Sequence, residues 1–277
     1  MMLVDVFSAD WPGICRRVVG VQQELFEQTA GIEARTEYEG RGEGGDRTLV
    51  IDWRCEDAVF DELERLAAAG ASFVAISEER GEVVFGDGGP VRVVIDPIDG
   101  SLNARRTLPS HSLSIAVSSG PSMADVEFGY VYDFGAGEGF AASRGEGASL
   151  EGRPLEVAAD AEKLELLGVE AAAPGRMLPL EEALDGRVFR LRVIGSIAIT
   201  AAYVAAGRLD GMLSLRPCRS VDIAAAQLIV REAGGAVAFG EVALEDADLG
   251  LDARYPILAA AGEQSLATVS NAFKGAV

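Results

Sequence analysis

The spacing of hydrophobic residues predicts two helices in the first part of the chain. Asp10-Trp11-Pro12 has the order of an N-cap followed by a first-turn proline, and apolar residues then recur at helical spacing to about Thr29. A second amphipathic stretch begins at Asp52. Between them, Gly31–Gly45 is polar and holds five glycines, which is typical of a loop or a mobile flap.

Runs of β-branched and aromatic residues predict strands in the rest of the chain. In the first half these are Phe73–Ser77, Val83–Phe85, Val91–Ile95, Leu113–Ser118, Val126–Phe134 and Gly139–Ala142. Near residues 151–154 the pattern changes to alternating strands and helices, so we predict one domain at 1–150 and a second at 151–277. The elements predicted in the second half are strand Val188–Ile194, helix Gly195–Gly207, strand Gly211–Leu215, helix Val221–Ala233 capped by Ser220, strands Val237–Phe239 and Ile257–Ala261, and helix Gln264–Phe273.

Candidate chemistry is concentrated in the segment Asp96-Pro97-Ile98-Asp99-Gly100-Ser101, which should end a strand in a tight turn. Two carboxylates on such a turn can converge on one cation, and the N–H groups that follow can open a short helix that suits a phosphate. The strand Phe73–Ser77 also ends in acids, Glu78-Glu79. If the two strands are parallel neighbours, Glu78, Asp96 and Asp99 meet at one sheet edge, as metal-assisted phosphate hydrolysis needs. The simpler interpretation is an acidic turn that caps a helix.

Composition narrows the range of partners and metals. With 24 Lys and Arg against 44 Asp and Glu, the net charge of −20 disfavours nucleic acid and anionic membranes as partners. Three scattered cysteines and an N-terminus unlike a signal peptide predict a cytoplasmic protein with reduced thiols. His111 is the only histidine, which excludes a His-rich zinc site and leaves an all-oxygen, magnesium-like one. We interpret His111 as a half-buried residue at a strand entry.

Three motifs, in the order SEE, DPIDGS and SVDIAA followed by EAGG, resemble those of the inositol monophosphatase family. That family belongs to the lithium-sensitive, magnesium-dependent phosphatases, which include fructose-1,6-bisphosphatases. The likeness runs from about Asp46 to Ala261 and is greatest to the archaeal-type enzymes with both activities. It implies an α+β fold, a layered αβαβα sandwich, a homodimer, and a small phosphorylated polyol or sugar as substrate.

The resemblance also implies a role for each matched residue. The implied metal ligands, for two or three Mg²⁺ that Mn²⁺ can replace, are Glu78, Asp96, the Ile98 carbonyl, Asp99 and Asp222. The implied catalytic residues are Asp52, Glu78 and Ser101, with Asp52 paired to the Ser101 hydroxyl to position and deprotonate the attacking water. The implied substrate-binding residues are Gly100, Ser101, Gly195, Ser196 and Arg219. Direct attack by water then gives inversion at phosphorus without a phosphoenzyme.

Several alternatives remain open from the sequence. Asp52 and Asp222 could simply be helix N-terminal charges. A 3′(2′),5′-bisphosphate nucleotidase would share every metal motif, and a non-catalytic metal-binding protein would retain them without activity. Three positions depart from the family pattern in ways that leave substrate identity open, namely Ser214, Val221 and the region near Arg41.

Four arginines precede Asp222, and we expect at least one, Arg219 by preference, to bind the second phosphate of a bisphosphate. The other interpretation is that they pair with surface acids. The four are Arg190, Arg192, Arg216 and Arg219.

Overall fold

The computed structural model of the chain describes residues 5–41, 43 and 47–276. Its α-helices are α1 (Trp11–Gln28), α2 (Val50–Ala68), α3 (Ser101–Arg105), α4 (Pro174–Leu184), α5 (Ile197–Ala205), α6 (Ser220–Glu232) and α7 (Glu263–Ala276). Its strands are β1 (Tyr38–Arg41), β2 (Arg47–Leu49), β3 (Phe73–Ser77), β4 (Gly81–Phe85), β5 (Arg92–Asp99), β6 (Ser112–Ser118), β7 (Val126–Asp133), β8 (Glu138–Ser143), β9 (Gly147–Leu150), β10 (Arg153–Pro154), β11 (Leu164–Glu170), β12 (Val188–Arg192), β13 (Gly211–Ser214), β14 (Cys218–Arg219), β15 (Ala236–Ala238), β16 (Arg254–Tyr255) and β17 (Leu258–Ala260). Short 3-10 helices lie at Val6–Ser8 and Met123–Asp125.

The larger sheet has eight strands in the order β10-β9-β8-β7-β6-β5-β3-β4. Strands β3 and β5 run parallel, with Ser77 opposite Ile95, whereas the other neighbouring pairs are antiparallel. The condition set from the sequence, that these two strands are parallel neighbours, is therefore met, and the acids after β3 and in β5 lie at the same sheet edge. A second sheet has the order β12-β11-β13-β17-β15, with β11 parallel to both of its neighbours.

The helices and the two sheets form five layers because successive strand residues point to opposite faces. On β5, Val93 and Ile95 pack against α1 and α2, while Val94 joins the apolar helices α5 and α6 on the other face. Those two helices also contact the second sheet through Met212 and Ala259. The outer face of that sheet packs against α4 and α7. This is the predicted αβαβα sandwich.

Most predicted elements are confirmed, and α1 begins as expected, with the Asp10 carboxylate accepting the Gly13 N–H at 2.9 Å. The expectation that β5 ends before Pro97 is wrong. The strand continues to Asp99, and its ladder to β6 is irregular between Asp96 and Asp99, which accommodates a proline that has no N–H to donate. Ser220 is not the cap of α6 either. Its hydroxyl donates to the Leu249 and Gly250 carbonyls, and the helix is capped one residue earlier.

The predicted loop over Gly31–Gly45 is only partly correct, because Tyr38–Arg41 forms β1 and pairs with β2. Residues 42 and 44–46 of that loop lie outside the described residues, as does the side chain of Arg41. The sequence pattern also did not identify β11 or α4. His111 is 6% exposed, more buried than predicted, and its Nδ1 is 3.1 Å from the Leu108 carbonyl.

The division into domains at residues 150 and 151 stays a prediction. Strand β10, which completes the first sheet, ends at Pro154, and the second sheet begins at Leu164. The largest apolar cluster joins residues of both halves, such as Val94 and Ile229. In the part of the chain that the structure describes, no helix combines the length and the hydrophobicity that crossing a membrane requires.

Candidate active site

Three buried carboxylates from three different elements meet at one end of the large sheet. Glu78 follows β3, Asp96 lies in β5, and Asp222 is in the first turn of α6. One oxygen of each lies within 4.8 Å of the other two. The neighbouring parallel strands bring Glu78 and Asp96 together. Asp222 comes 126 residues after Asp96 in the sequence and reaches the same point because α6 packs against a face of the large sheet.

Asp52 and Asp222 each cap the start of a helix and also face the site. One oxygen of Asp52 accepts the Leu49 N–H at 3.1 Å, and one oxygen of Asp222 accepts the Arg219 N–H at 2.8 Å, so both acids cap their helices. The other oxygen of Asp52, Oδ1, is buried without a hydrogen-bond partner among the described residues. The second oxygen of Asp222, Oδ1, accepts the Arg219 Nε–H at 3.2 Å. Capping therefore uses one oxygen of each carboxylate and leaves the other facing the site, so the two interpretations of these acids are compatible.

Asp99 accepts hydrogen bonds from residues in the C-terminal half of the chain. Its Oδ2 accepts the Ser196 hydroxyl at 2.5 Å and the Ala198 N–H at 2.7 Å. Ser196 is itself buried and caps α5 by accepting the Ile199 N–H at 3.2 Å. The structure thus brings the predicted substrate residue Ser196 against the predicted ligand Asp99. Asp99 is adjacent to the three-carboxylate cluster but is not a member of it.

The turn between β5 and α3 has the left-handed backbone that favours glycine. Gly100 has φ +90°, and a Cβ there would lie 2.9 Å from the Ser110 carbonyl oxygen and 3.0 Å from that of Gly195. The Ser101 hydroxyl donates to the Ile98 carbonyl at 2.9 Å. Asp52 Oδ2 accepts the Leu49 N–H and Asp52 Oδ1 has no hydrogen-bond partner among the described residues, so the expected hydrogen bond between Ser101 and Asp52 is not seen in this structure. The roles of these residues stay predictions.

A cavity of about 560 Å³ opens at this end of the large sheet. The lining residues are Leu49, Asp52, Glu78, Glu79, Asp96, Ile98, Asp99, Gly100, Ser101, Leu102, Arg105 and Arg219. Arg219 forms ion pairs with Glu78 and Asp222, the latter at 3.2 Å. Arg190, Arg192 and Arg216, by contrast, are exposed. Of the four arginines considered from the sequence, Arg219 is the one placed at the cavity.

Burial raises the pKa values of the acids around the cavity, and this favours the binding of a cation there. It raises the pKa of Glu78 to about 8, with Arg219 opposing the rise, and raises the pKa of Asp52 to about 7. The pKa of Asp96 rises well above its ordinary value through burial and through the adjacent Glu78 and Asp99 carboxylates. For Arg219, burial alone would lower the pKa, but Asp222 and its neighbours outweigh that and raise it. Buried acids that repel one another are stabilised by positive charge.

The residues present fit a hard divalent cation. Asp96 Oδ2 is buried and, among the described residues, has no hydrogen-bond partner, although its other oxygen accepts the Ile98 N–H at 3.0 Å. Such an orphaned carboxylate oxygen beside two further acids is costly unless a cation completes it. The donors are all oxygen, with no histidine or cysteine in the cluster, which matches Mg²⁺ or Mn²⁺.

Sequence reasoning missed three residues that shape the site. Glu56 is buried under the turn after β3, where it accepts the Ser77 hydroxyl and the N–H groups of Glu79 and Arg80. Glu170 ends β11 and holds the segment before α5. Arg105 lines the cavity on α3. Glu56 has one sequence signal, its position one turn after Asp52, whereas Glu170 lies on a strand that the hydrophobic pattern did not reveal.

Comparison with known proteins agrees with the fold and the motifs. The model of the inositol monophosphatase family matches residues 14–264. A fructose-1,6-bisphosphatase/inositol-1-monophosphatase of Methanothermobacter thermautotrophicus is 32% identical over 260 residues, covering 90% of this chain and 91% of the relative. One of the same description from Thermococcus kodakarensis is 33% identical over 266 residues, covering 96% and 98%. A crystal structure of an inositol monophosphatase-fructose 1,6 bisphosphatase matches with a TM-score of 0.82 and 26% identity, covering 95% of this chain and all (100%) of the other.

Proposed function

Because this chain belongs to the inositol monophosphatase family and is a phosphoric monoester hydrolase, we propose that it uses Mg²⁺ to hydrolyse phosphate esters of small polyols and sugars. Inositol monophosphate and fructose 1,6-bisphosphate are the proposed substrates, in line with the names of the two relatives. The observation that carries the proposal is the meeting of Glu78, Asp96 and Asp222 within 4.8 Å, two of which, Glu78 and Asp96, line a cavity that also includes the start of α3.

The cation would be held by Glu78, Asp96 and Asp222, with Asp99 and the Ile98 carbonyl as further ligands. When bound, Mg²⁺ supplies positive charge that stabilises the phosphate and lowers the pKa of a coordinated water. The orphaned oxygen of Asp96 and the all-oxygen donor set support this assignment.

The proton and phosphate are handled by the chain's own groups. Asp52 has one buried oxygen free of hydrogen bonds among the described residues and a pKa raised to about 7 by burial, so it is suited to accept a proton near neutral pH. The first N–H groups of α3 have no partner within the helix and can bind phosphate oxygens. Gly100 and Ser101 line the cavity at this point, where the absence of a side chain on Gly100 permits close approach.

Arg219 is proposed to bind the second phosphate of a bisphosphate. It lines the cavity and is half-buried, and the guanidinium group pairs with phosphate in a bidentate manner. Arg105 adds a second positive charge to the same wall. In this structure Arg219 contacts Glu78 and Asp222, so it would have to change partner when phosphate is bound.

A homodimer is proposed on the basis of exposed apolar side chains beside the site. Leu102 and Leu108, in and just after α3, are 62% and 52% exposed; Phe189 in the edge strand β12 and Val193, the residue after that strand, are 64% and 59% exposed. The two regions adjoin, because the Asn103 side chain donates to the Ile194 carbonyl at 2.9 Å. Light scattering should give the mass of two chains, and Leu108→Asp with Val193→Asp should give one; a monomeric wild type would reject the dimer.

The proposed function is tested by turnover on a panel of phosphate esters with Mg²⁺. Inositol 1-phosphate and fructose 1,6-bisphosphate should be hydrolysed, and a chelator should abolish the activity until Mg²⁺ or Mn²⁺ is restored. Adenosine 3′,5′-bisphosphate as the preferred substrate would instead indicate the nucleotidase. No turnover of any ester, with metal bound, would indicate a non-catalytic protein.

A matched pair of variants separates the metal role of Asp222 from its capping role. Asp125 occupies the same capping position in the 3-10 helix Met123–Asp125, where its Oδ2 accepts the Ser122 N–H at 3.0 Å, away from the cavity lining. Asp222→Asn should reduce turnover by about a hundredfold or more, because it removes a charged ligand. Asp125→Asn should leave turnover unchanged. Equal effects of the two substitutions would mean that Asp222 acts only as a cap.

A further inference from the structure

Glu170 is a buried carboxylate that the proposed chemistry leaves without a role. It is the last residue of β11 and is 2% exposed. Its Oε1 accepts the Thr200 hydroxyl at 2.6 Å and the N–H groups of Ile194 and Gly195 at 3.2 Å, and its Oε2 accepts the Gly195 N–H at 3.0 Å. Burial raises the pKa of Glu170 to about 7. A buried acid is costly, and these four hydrogen bonds offset part of that cost.

The segment that Glu170 holds is fixed on its other side as well. The Asn103 side chain donates to the carbonyls of Ile194 and Ser110 at 2.9 and 2.8 Å. Gly195 has φ +86°, and a Cβ there would lie 2.7 Å from Asn103 Nδ2. Glu170 binds the N–H groups of the segment and Asn103 binds its carbonyl side, so the backbone at Gly195 has little freedom.

This clamped segment leads directly to Asp99. Ser196 and Ala198 follow Gly195, and both donate to the same oxygen of Asp99, Oδ2, at 2.5 and 2.7 Å. With Oδ2 occupied by two donors, Oδ1 is the oxygen that Asp99 can offer to a ligand in the cavity it lines. A continuous set of hydrogen bonds therefore joins the end of β11 to a predicted metal ligand at the end of β5.

We propose that Glu170 is a positioning residue for the reaction: it orients the segment Ile194–Ala198 so that Asp99 presents Oδ1 to the cation site. The inference rests on the proposed function, because it needs Asp99 to serve a bound metal. Residues that orient metal ligands through hydrogen bonds typically affect metal affinity or activity by about 10- to 100-fold. Glu170 acts through one further residue, so we expect an effect near the lower end.

Glu170→Gln is the central variant, because the amide has nearly the same volume but in either orientation would place an N–H₂ group against a backbone N–H of Ile194 or Gly195, where one donor faces another. Its matched control is Asp210→Asn. The Asp210 carboxylate also accepts hydrogen bonds from two backbone N–H groups of β11, those of Glu165 and Leu166 at 2.6 and 2.8 Å, but at the opposite end of the strand. Both variants lose a carboxylate that holds backbone, and only one of them is connected to Asp99.

Three measurements test the proposal, beginning with Mn²⁺ binding to each protein by calorimetry. Glu170→Gln should bind Mn²⁺ about tenfold more weakly than wild type and show a lower kcat with little change in KM, whereas Asp210→Asn should match wild type in both. Amide hydrogen exchange without metal should accelerate at residues 194–198 in Glu170→Gln only. Combining Glu170→Gln with Ser196→Ala should weaken Mn²⁺ binding by less than the product of the single effects, because both act through Asp99.

The possible failures can be told apart. A wild-type protein that neither binds Mn²⁺ nor hydrolyses esters would end the proposed function, and this inference with it. An active wild type with unchanged Mn²⁺ affinity in Glu170→Gln would overturn only the positioning role, as would a fully multiplicative double variant. If Glu170→Gln does not fold, Thr200→Val removes the shortest of the hydrogen bonds to Glu170 and should show a smaller change in the same direction; no change would count against the proposal.

Discussion

Replacing Gly100 by alanine should damage both stability and turnover, through two separable effects. The first is conformational, since φ is +90° and an L-residue is strained there. The second is steric, because the added Cβ would lie 2.9 and 3.0 Å from the carbonyl oxygens of Ser110 and Gly195. Both oxygens belong to backbone, so neither can rotate away as a flexible side chain could.

Gly145 allows the two effects to be measured apart. It also has positive φ, +75°, but it lies on the surface and a Cβ there meets open space. Gly145→Ala should therefore lose only the conformational term, about 1–2 kcal/mol. Gly100→Ala should lose that amount plus about 1–3 kcal/mol for the forced displacement of packed backbone. The expected difference between the two variants is thus about 1–3 kcal/mol of unfolding free energy.

Urea unfolding of both variants without metal gives the free energies, and turnover with Mg²⁺ gives the functional effect. Moving the start of α3 away from the carboxylates should lower kcat for Gly100→Ala by about tenfold to a hundredfold, because a shift near 1 Å is enough to misalign reacting groups. Gly145→Ala should retain wild-type turnover. The reasoning would be refuted if both variants lost equal stability, or if Gly100→Ala kept full activity.

Three further results are expected. Adding Mn²⁺ at about 100 times its Kd should raise the unfolding free energy by about 2.7 kcal/mol, and Asp222→Asn should largely abolish that gain, which differential scanning calorimetry can check. Because burial raises the pKa of Asp52 to about 7, the folded metal-free protein holds a proton that the unfolded chain releases near pH 4, so the unfolding free energy should fall as the pH rises from about 4 to 7. In urea titrations Asp52→Asn should reduce the slope of this fall, with other buried acids such as Glu78 and Glu170 supplying the remainder. Arg219→Ala should raise KM for fructose 1,6-bisphosphate far more than for inositol 1-phosphate, with Arg219→Lys intermediate; equal increases for both substrates would assign Arg219 to the carboxylates alone.

The sequence by itself was sufficient for features that depend on neighbours in the chain. The β-branched run of Phe73–Ser77 and the acids that follow it predicted a strand with carboxylates at its end, and the structure has β3 at those same residues. Helix α1 likewise follows from its proline, its N-cap and its apolar spacing. Local sequence signals were weaker where a proline interrupted a strand, because only the irregular pairing with β6 shows why Pro97 is tolerated within β5.

Only the tertiary structure decided which atoms of the site face one another. The sequence could nominate Asp99 and Ser196 separately, but their hydrogen bond joins residues that are 97 positions apart and depends on α5 packing against the sheet. The sequence could not predict that Arg219 forms an ion pair with Glu78. Nor could it predict that the Ser101 hydroxyl donates to the Ile98 carbonyl and not to Asp52. Glu170 was missed for the same reason, since its partners lie 24 to 30 positions away on a loop and helix. Strand and helix signals are local, whereas the choice of hydrogen-bond partner for a buried carboxylate depends on which donors the folded layers bring within about 3 Å.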